Sequence, residues 1–425
     1  MAEPLNYNVA VIGGGPAGIM AAAIAADNGA KVILLEKNDR LGKKLLITGK
    51  GRCNITNNTH DVKAFSEVFG KKGRFLLTAM FNFGVMQVVD FFKDNGVDSK
   101  VERGNRIFPV SDMASDVLNA LVGFAKKCGV EIRVKSPVKK FVEGESIIKS
   151  IILEDGQHVC ADNYIICTGG KSYPTTGSSG NGFEWAEKLG HRIVDVNPAL
   201  VPVIVEERLV EDLQGLSLRN IEINIYQNDK KIDSRFGEAI FTINGLSGPI
   251  ILDMSKTINA FLAKGPVNMF IDFKPALDYK KLDARILRDF EKMNKKQFKN
   301  SLSDLLPSKL IPVIVKASGI PPLKTVNEIN KSERKTLLRL LKQFPLTVTS
   351  VEGFSKAIVS SGGVSLNEID PRNMKSKIIE NLYFAGEIID LDGPTGGYNL
   401  QVAWSTGYLA GEKSAQKLAN KKGKD

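Results

Sequence analysis

Cysteine and histidine are scarce in this chain of 425 residues, which holds four of the first and three of the second. Cys53, Cys128, Cys160 and Cys167 form no C-x-x-C pair, and His60, His158 and His191 fall at no zinc-ligand spacing. A structural metal and a catalytic disulfide are therefore not expected. Long apolar runs are missing too. None reaches the length of a bilayer span, and the first residues lack the basic, apolar and small-residue pattern of a signal peptide, so the expectation is a cytoplasmic protein with no membrane partner. Acidic residues fall short of basic ones, 47 against 58. Most of the imbalance lies between Asp278 and Lys342, where 16 basic residues meet 7 acidic ones. Such a field attracts nucleic acid or other anions, although solvated helix faces are often basic without a partner. The length accommodates two or three domains and a large core.

What the sequence does have is an informative first forty residues. Asn8–Ile12 reads as a strand, Gly13-Gly14-Gly15-Pro16-Ala17-Gly18 as a glycine turn, the alanine-rich run to Asn28 as a helix, and Lys31–Glu36 as a second strand. Gly13, Gly15 and Gly18 have the G-x-G-x-x-G spacing, which serves a sharp turn, close approach to a pyrophosphate, and close helix packing. Pro16 and Ala17 open the helix, whose N-terminal N–H groups suit phosphate. Glu36, 18 residues after Gly18, is placed to accept ribose hydroxyls and disfavours a 2'-phosphate, which points to FAD or NAD rather than NADP.

Residues 37–57 form a glycine-rich, polar loop suited to wrapping the far end of an extended cofactor through backbone N–H groups, Arg52, Asn54 and Asn57. Helical patterns follow around Phe75–Asn95 and from an N-cap at Ser111 to Cys128. Pro137-Val138 offers backbone to an adenine edge. Val138–Cys167 alternates short apolar runs with turns, as an antiparallel meander does, and ends in Thr168-Gly169-Gly170, where backbone can pass beside a dinucleotide. Val201–Glu206, Ile221–Gln227, Ala239–Thr242 and Val267–Phe273 read as strands with no helices between them, a small barrel or sandwich. Leu282, Ile286 and Phe290, then Leu337, Leu341 and Phe344, recur at helical spacing and predict a helical cap. Ser360–Val364 reads as a tight turn. Asn381–Glu387 is a short strand, and Gly393–Asn399 is a second loop of free N–H groups before a helix from Leu400 past Gly411.

The segments Gly13–Gly18, Gly49–Asn57, Thr168–Gly170 with Tyr173-Pro174 and Gly177, and Gly386-Glu387 with Gly393–Asn399 resemble those of the BaiN/YhiN family of FAD-dependent oxidoreductases. These are aminoacetone-oxidase-like flavoproteins of the two-dinucleotide-binding-domain superfamily, and the likeness spans almost the whole chain. It implies an α/β Rossmann-like FAD-binding domain with a β-meander (1–195 and 346–425), interrupted by an inserted domain at 196–345, a small β-barrel (196–275) with a helical cap (276–345). It also implies extended FAD with adenosine at Glu36 and Val138 and pyrophosphate over Gly13–Gly18. Gly386 and Glu387 then approach the ribityl and phosphate region, Gly396, Gly397, Tyr398 and Asn399 with the helix from Leu400 behind them the flavin pyrimidine, and Lys50, Gly51, Arg52, Cys53 and Asn54 the isoalloxazine. Lys37, Lys44, Thr48, Gly49, Thr168, Gly169 and Gly170 complete the expected cofactor set. No second G-x-G-x-x-G strand unit is found for a nicotinamide, so NADH or NADPH would act only transiently.

The leading expectation is a flavin oxidoreductase that oxidises a small amine or reduces an activated double bond, with the substrate between the flavin and the insert. Arg52, Tyr173 and Tyr398 are polar candidates near the flavin, and no acid or base is assigned. Two alternatives are a flavin-dependent RNA-modifying enzyme that uses the basic insert, and a non-catalytic flavin sensor or scaffold.

Overall fold

The computed structural model describes residues 5–422 and divides into two compact units, one formed by residues up to Pro198 with those from Ala357 onward, the other by Ala199–Lys356. In the first unit, β1 (Leu5–Ile12) lies parallel to β2 (Val32–Leu35). Val9, Ala10, Val11, Ile33 and Leu34 are wholly buried. Continuous apolar strands of this kind belong to parallel sheets covered on both faces. Helix α1 (Pro16–Asp27) buries every residue from Ala17 to Ala26, because alanine lets its backbone lie close to neighbours on all sides.

The loop after β2 contains α2 (Lys43–Ile47) and leads to β3 (Thr56–Asn57). Helices α3 (Val62–Glu67), α4 (Gly73–Asn82) and α5 (Val85–Asp94) follow. The single helix expected around Phe75–Asn95 is thus two, parted at Phe83-Gly84. After β4 (Ser99–Glu102) and β5 (Arg106–Pro109), α6 (Ala114–Lys127) starts without the expected Ser111 cap. Its N-cap is Met113, because Asp112 takes a left-handed φ of 56° and its carboxylate is held by Lys100 and Arg52. Then come β6 (Glu131–Arg133), the antiparallel meander β7 (Val138–Glu143), β8 (Ile148–Leu153) and β9 (His158–Ile166), then α7 (Asn181–Lys188) and β10 (Ile193–Ala199).

The second unit is a closed barrel built from β11 (Val203–Val205), β12 (Ser217–Gln227), β13 (Lys230–Phe241), β14 (Gly245–Ser247), β15 (Val267–Asp272) and β16 (Phe344–Val351). Alternation decides its interior: Ile221, Ile223, Ile225, Val267, Met269 and Ile271 are all buried. Two features depart from expectation. A short α8 (Leu209–Asp212) and a full helix α9 (Pro249–Leu262) lie between the strands, and α9 buries Ile250, Ile251, Met254 and Ile258 at helical spacing. The unit also runs past residue 345, because β16 pairs with β15 and β11 to close the barrel. Helices α10 (Tyr279–Lys292), α11 (Ile311–Ser318) and α12 (Lys331–Lys342) make up the basic segment.

Back in the first unit, Val359–Val364 is a buried strand, β17, paired with β10, rather than a turn. Gly362 and Gly363 adopt positive φ and let its backbone touch that of Asp195 and Ile388. Strands β18 (Ile369–Asp370), β19 (Lys375–Ser376) and β20 (Leu382–Phe384) bring the main sheet to the order β18-β19-β20-β9-β1-β2-β6. The closing helix α13 (Tyr398–Lys422) meets α1 through Gly407 and Gly411, where any side chain would strike the backbone of Ala17 and Ala21. Among the described residues no single helix is long and apolar enough to cross a membrane.

Candidate functional site

Strands β1, β2, β9 and β20 run parallel, so their carboxyl ends share one edge of the sheet. Ligands of open α/β sheets bind outside that edge. The turn after β1 shows a division of labour. Gly13 takes φ 107° and has no room for a side chain beside Cys167, and a side chain on Gly18 would strike the Gly13 carbonyl. Gly15 faces open space, with no atom within 4 Å of an added Cβ. Pro16 fills the first helical position and no side chain caps the helix, so the N–H groups of Ala17 and Gly18 lie at an uncapped positive end.

Glu36 is 8% exposed and already bonded: Oε2 accepts the Gly14 N–H (2.8 Å), and Oε1 accepts the Asn38 N–H and Nδ2 (both 2.7 Å). Its carboxylate braces the glycine turn and retains one lone pair on Oε2 for a hydroxyl. The segment leading to Val138 starts beside it, since the Ser136 N–H donates to the Glu36 carbonyl (2.9 Å). Lys37 turns elsewhere and donates to Ser179 Oγ (2.6 Å), with burial lowering its pKa.

The loop after β2 is tightly wound. Gly49, Lys50, Gly51 and Cys53 all take positive φ, and the Cys53 N–H closes on the Thr48 carbonyl (3.0 Å). The Cys53 thiol is fully buried, and burial pushes its pKa up to about 12, so it is protonated and inert at neutral pH. Arg52 is engaged by partners from the protein itself. Its guanidinium forks onto Glu102 (2.9 and 3.1 Å), reaches Asp112 (3.1 Å) and lies 4.0 Å over the Phe108 ring. Lys44 projects the other way, donating to Ser172 Oγ (2.5 Å) and Glu387 Oε2 (2.6 Å).

The remaining segments converge from β9, β20 and α13. Thr168, Gly169 and Gly170 follow β9, and Gly386 and Glu387 follow β20, with the Gly386 N–H held by Thr406 Oγ1 (3.0 Å). Asn399 shapes the C-terminal loop: its amide accepts the Gly393 N–H (2.8 Å) and donates to the carbonyls of Gly393 (2.9 Å) and Pro394 (3.2 Å). Tyr398 packs its ring 4.8 Å from Phe65, and Leu400 is half-buried. Gly397 lies against the backbone of Thr56, and Asn57 Nδ2 donates to the Gly396 carbonyl (3.1 Å). The loop ending at Asn57 is therefore stitched to the start of α13. Tyr173 takes a left-handed φ of 49° and opens a short turn at Pro174.

These residues fit an extended dinucleotide. Asn54 Oδ1 and Thr168 Oγ1 are buried with no hydrogen-bond partner from the protein, and FAD carries hydroxyl and ring N–H donors able to satisfy such atoms. The open face of Gly15 at an uncapped helix end suits a diphosphate. Ser172 lies in a loop whose hydroxyls the sequence places near the cofactor's middle and Ser360 in a segment that reads as a turn, but no spacing links either to residues 44 and 387, and both bond to Glu387.

Comparison with known proteins agrees. A family model described as the HI0933-like protein Rossmann domain matches residues 7–413. A 3-dehydro-bile acid delta(4,6)-reductase of Clostridium scindens is 32% identical over 412 residues, covering 96% of this chain and 99% of that protein. A ribosomal RNA dihydrouridine synthase of Escherichia coli is 28% identical over 408 residues, covering 96% and 98%. The structure of 3-ketosteroid delta1-dehydrogenase from Sterolibacterium denitrificans shares the fold at a TM-score of 0.55 and 14% identity, over 97% of this chain and 100% of that one.

Proposed function

Because the chain belongs to the HI0933-like Rossmann family, and with it to the FAD-dependent oxidoreductases, we propose that it reduces an electron-poor carbon–carbon double bond of a small ring-bearing substrate. The observation that carries this reading is a chemistry shared by two whole-chain relatives. One name describes reduction of ring double bonds in a 3-oxo compound, the other formation of dihydrouridine, in which a ring double bond conjugated to a carbonyl gains two hydrogens. Bound FAD, once reduced by an external two-electron donor, would supply the hydride for such a reduction.

The chain's own residues supply orientation and charge. The uncapped end of α1 and the open face of Gly15 hold the diphosphate, and the lone pair left on Glu36 takes an adenosine ribose hydroxyl. The loop before α13, braced by Asn399, presents N–H groups at a positive helix end, where negative charge is stabilised. Amine oxidation, also compatible with a flavin, has no counterpart in the relatives' names.

Anaerobic stopped-flow tests the reading. Protein reduced with NADH, NADPH or dithionite is mixed with a conjugated cyclic enone or with a matched isolated alkene. Rapid return of the oxidised flavin band with the enone alone is the expected result; equal response to both, or to neither, contradicts it.

A second reading, reduction of uracil within RNA, is favoured by the Escherichia coli relative's name and by one surface feature. Lys292, Lys295, Lys296 and Lys299 are all exposed within eight residues. RNA binding would then weaken steeply with salt and fall when these lysines are neutralised. Salt-insensitive or absent gel shifts would remove this reading.

A further inference from the structure

Three loops leave the carboxyl ends of β2, β9 and β20, and one polar cluster joins them. Lys44 comes from the first, Ser172 from the second and Glu387 from the third, while Ser360 comes from β17. Lys44 Nζ donates to Glu387 Oε2 (2.6 Å) and Ser172 Oγ (2.5 Å). Glu387 Oε1 accepts the Ser172 hydroxyl (2.9 Å) and the Ser360 N–H (2.8 Å). Ser360 Oγ in turn accepts the N–H groups of Lys171 (2.8 Å) and Ser172 (3.2 Å). Gly170 makes room, since a Cβ there would lie 2.5 Å from Ser360 Oγ and 2.8 Å from Glu387 Oε1. Both charged side chains are 21% exposed, so they are poorly screened and depend on each other.

The family resemblance implies that the strand end at Gly386 and Glu387 approaches the ribityl and phosphate region. The Glu387 carboxylate accepts three protein donors and, like that of Glu36, keeps one lone pair on Oε2, while its charge is met by Lys44. We propose that Lys44, Ser172, Ser360 and Glu387 form a charge-neutral clasp that locks the three cofactor loops in one register. Glu387 serves in it as the counter-charge of Lys44, and Ser172 and Ser360 are positioning residues. The proposal rests on the FAD reading. It assigns a single role to residues that lie up to 343 positions apart, and it makes a prediction opposite in sign to direct ligation. Removing Lys44 strands an unpaired carboxylate at the sheet edge that receives an anionic dinucleotide, and removing Glu387 as well relieves it.

The test is titration of apoprotein with FAD, read by flavin fluorescence, for wild type, Lys44→Met, Glu387→Gln, the double variant and Ser172→Ala. Wild type must bind FAD for the comparison to be made; if it does not, the cofactor reading itself fails. With wild-type binding in place, Lys44→Met is expected to raise the Kd on the order of 30-fold. Adding Glu387→Gln should recover most of that loss. Ser172→Ala should weaken FAD by roughly tenfold, and because it removes no charge this variant carries the test if Lys44→Met fails to fold. The clasp is overturned if the double variant binds FAD more weakly than Lys44→Met, if Glu387→Gln alone is the most damaging change, or if Ser172→Ala and Glu387→Gln both bind as wild type does.

Discussion

Helix α1 and helix α10 show how differently the two units are built. Every residue of α1 from Ala17 to Ala26 is buried, whereas α10 buries Leu282, Ile286, Asp289 and Phe290 and turns its lysines to solvent. In the first unit, backbones approach one another and the site so closely that particular positions accept only particular residues. In the second, a position needs only to be apolar on one face and polar on the other. The candidate cofactor residues therefore fall where residue identity is most constrained.

The largest effect expected from breaking this contrast comes at Gly407. Gly407→Leu would drive a side chain into Ala17 and cost about 3 kcal/mol or more, read as a lower unfolding midpoint. In the barrel, Ile223→Ala removes methyl groups from a fully buried site and should cost about 2–5 kcal/mol, the usual range for a cavity of that size. A barrel that tolerated the change within about 0.5 kcal/mol would mean its interior repacks freely.

Acid separates the units more gently. All three histidines precede residue 199. His191 is buried, with Nε2 2.8 Å from Ser376 Oγ and Nδ1 3.2 Å from the Ala186 carbonyl, and burial lowers its pKa below 6.5. As pH falls through about 6.5 the unfolded chain takes up a proton that the folded state still refuses, so stability drops by up to about 1.4 kcal/mol per pH unit until the folded group titrates. Denaturant titrations from pH 7.5 to 5 should show this slope, and His191→Gln should flatten it. A variant with the wild-type slope would assign the acid sensitivity elsewhere. The smallest effect belongs to Arg52. Its partners Glu102 and Asp112 lie at the surface, so Arg52→Met should shift melting little, and less still at high salt. A large loss of flavin on that substitution would show that Arg52 reaches the cofactor after all.

The glycine turn, the alanine helix, the meander and the alternating barrel strands were legible because each writes its constraint into consecutive residues. Helix α9 is less legible, because its buried residues Ile250, Ile251, Met254 and Ile258 fall in a short segment between two strands. Strand β17 reads as a turn because Ser360–Gly363 are small and polar, yet smallness there serves close backbone approach. Ser111 looks like a cap, but the ion pairs of Asp112 decide where the helix starts. Arg52 and Lys44 belong to one loop and look alike in sequence; only the fold reveals that one faces Glu102 and the other Glu387. Partners this remote along the chain leave no spacing to read.

The central claim is that the turn after β1, with the loops after β2, β9 and β20, cradles FAD. Its most direct test pairs FAD titration of wild-type apoprotein with that of Gly15→Leu, whose Cβ would meet no atom within 4 Å and whose side chain would extend into the open space over the turn. The account predicts one FAD per wild-type chain and loss of binding in the variant, with the apoprotein's melting unchanged. Equal FAD binding by both proteins, or none by wild type, would contradict it.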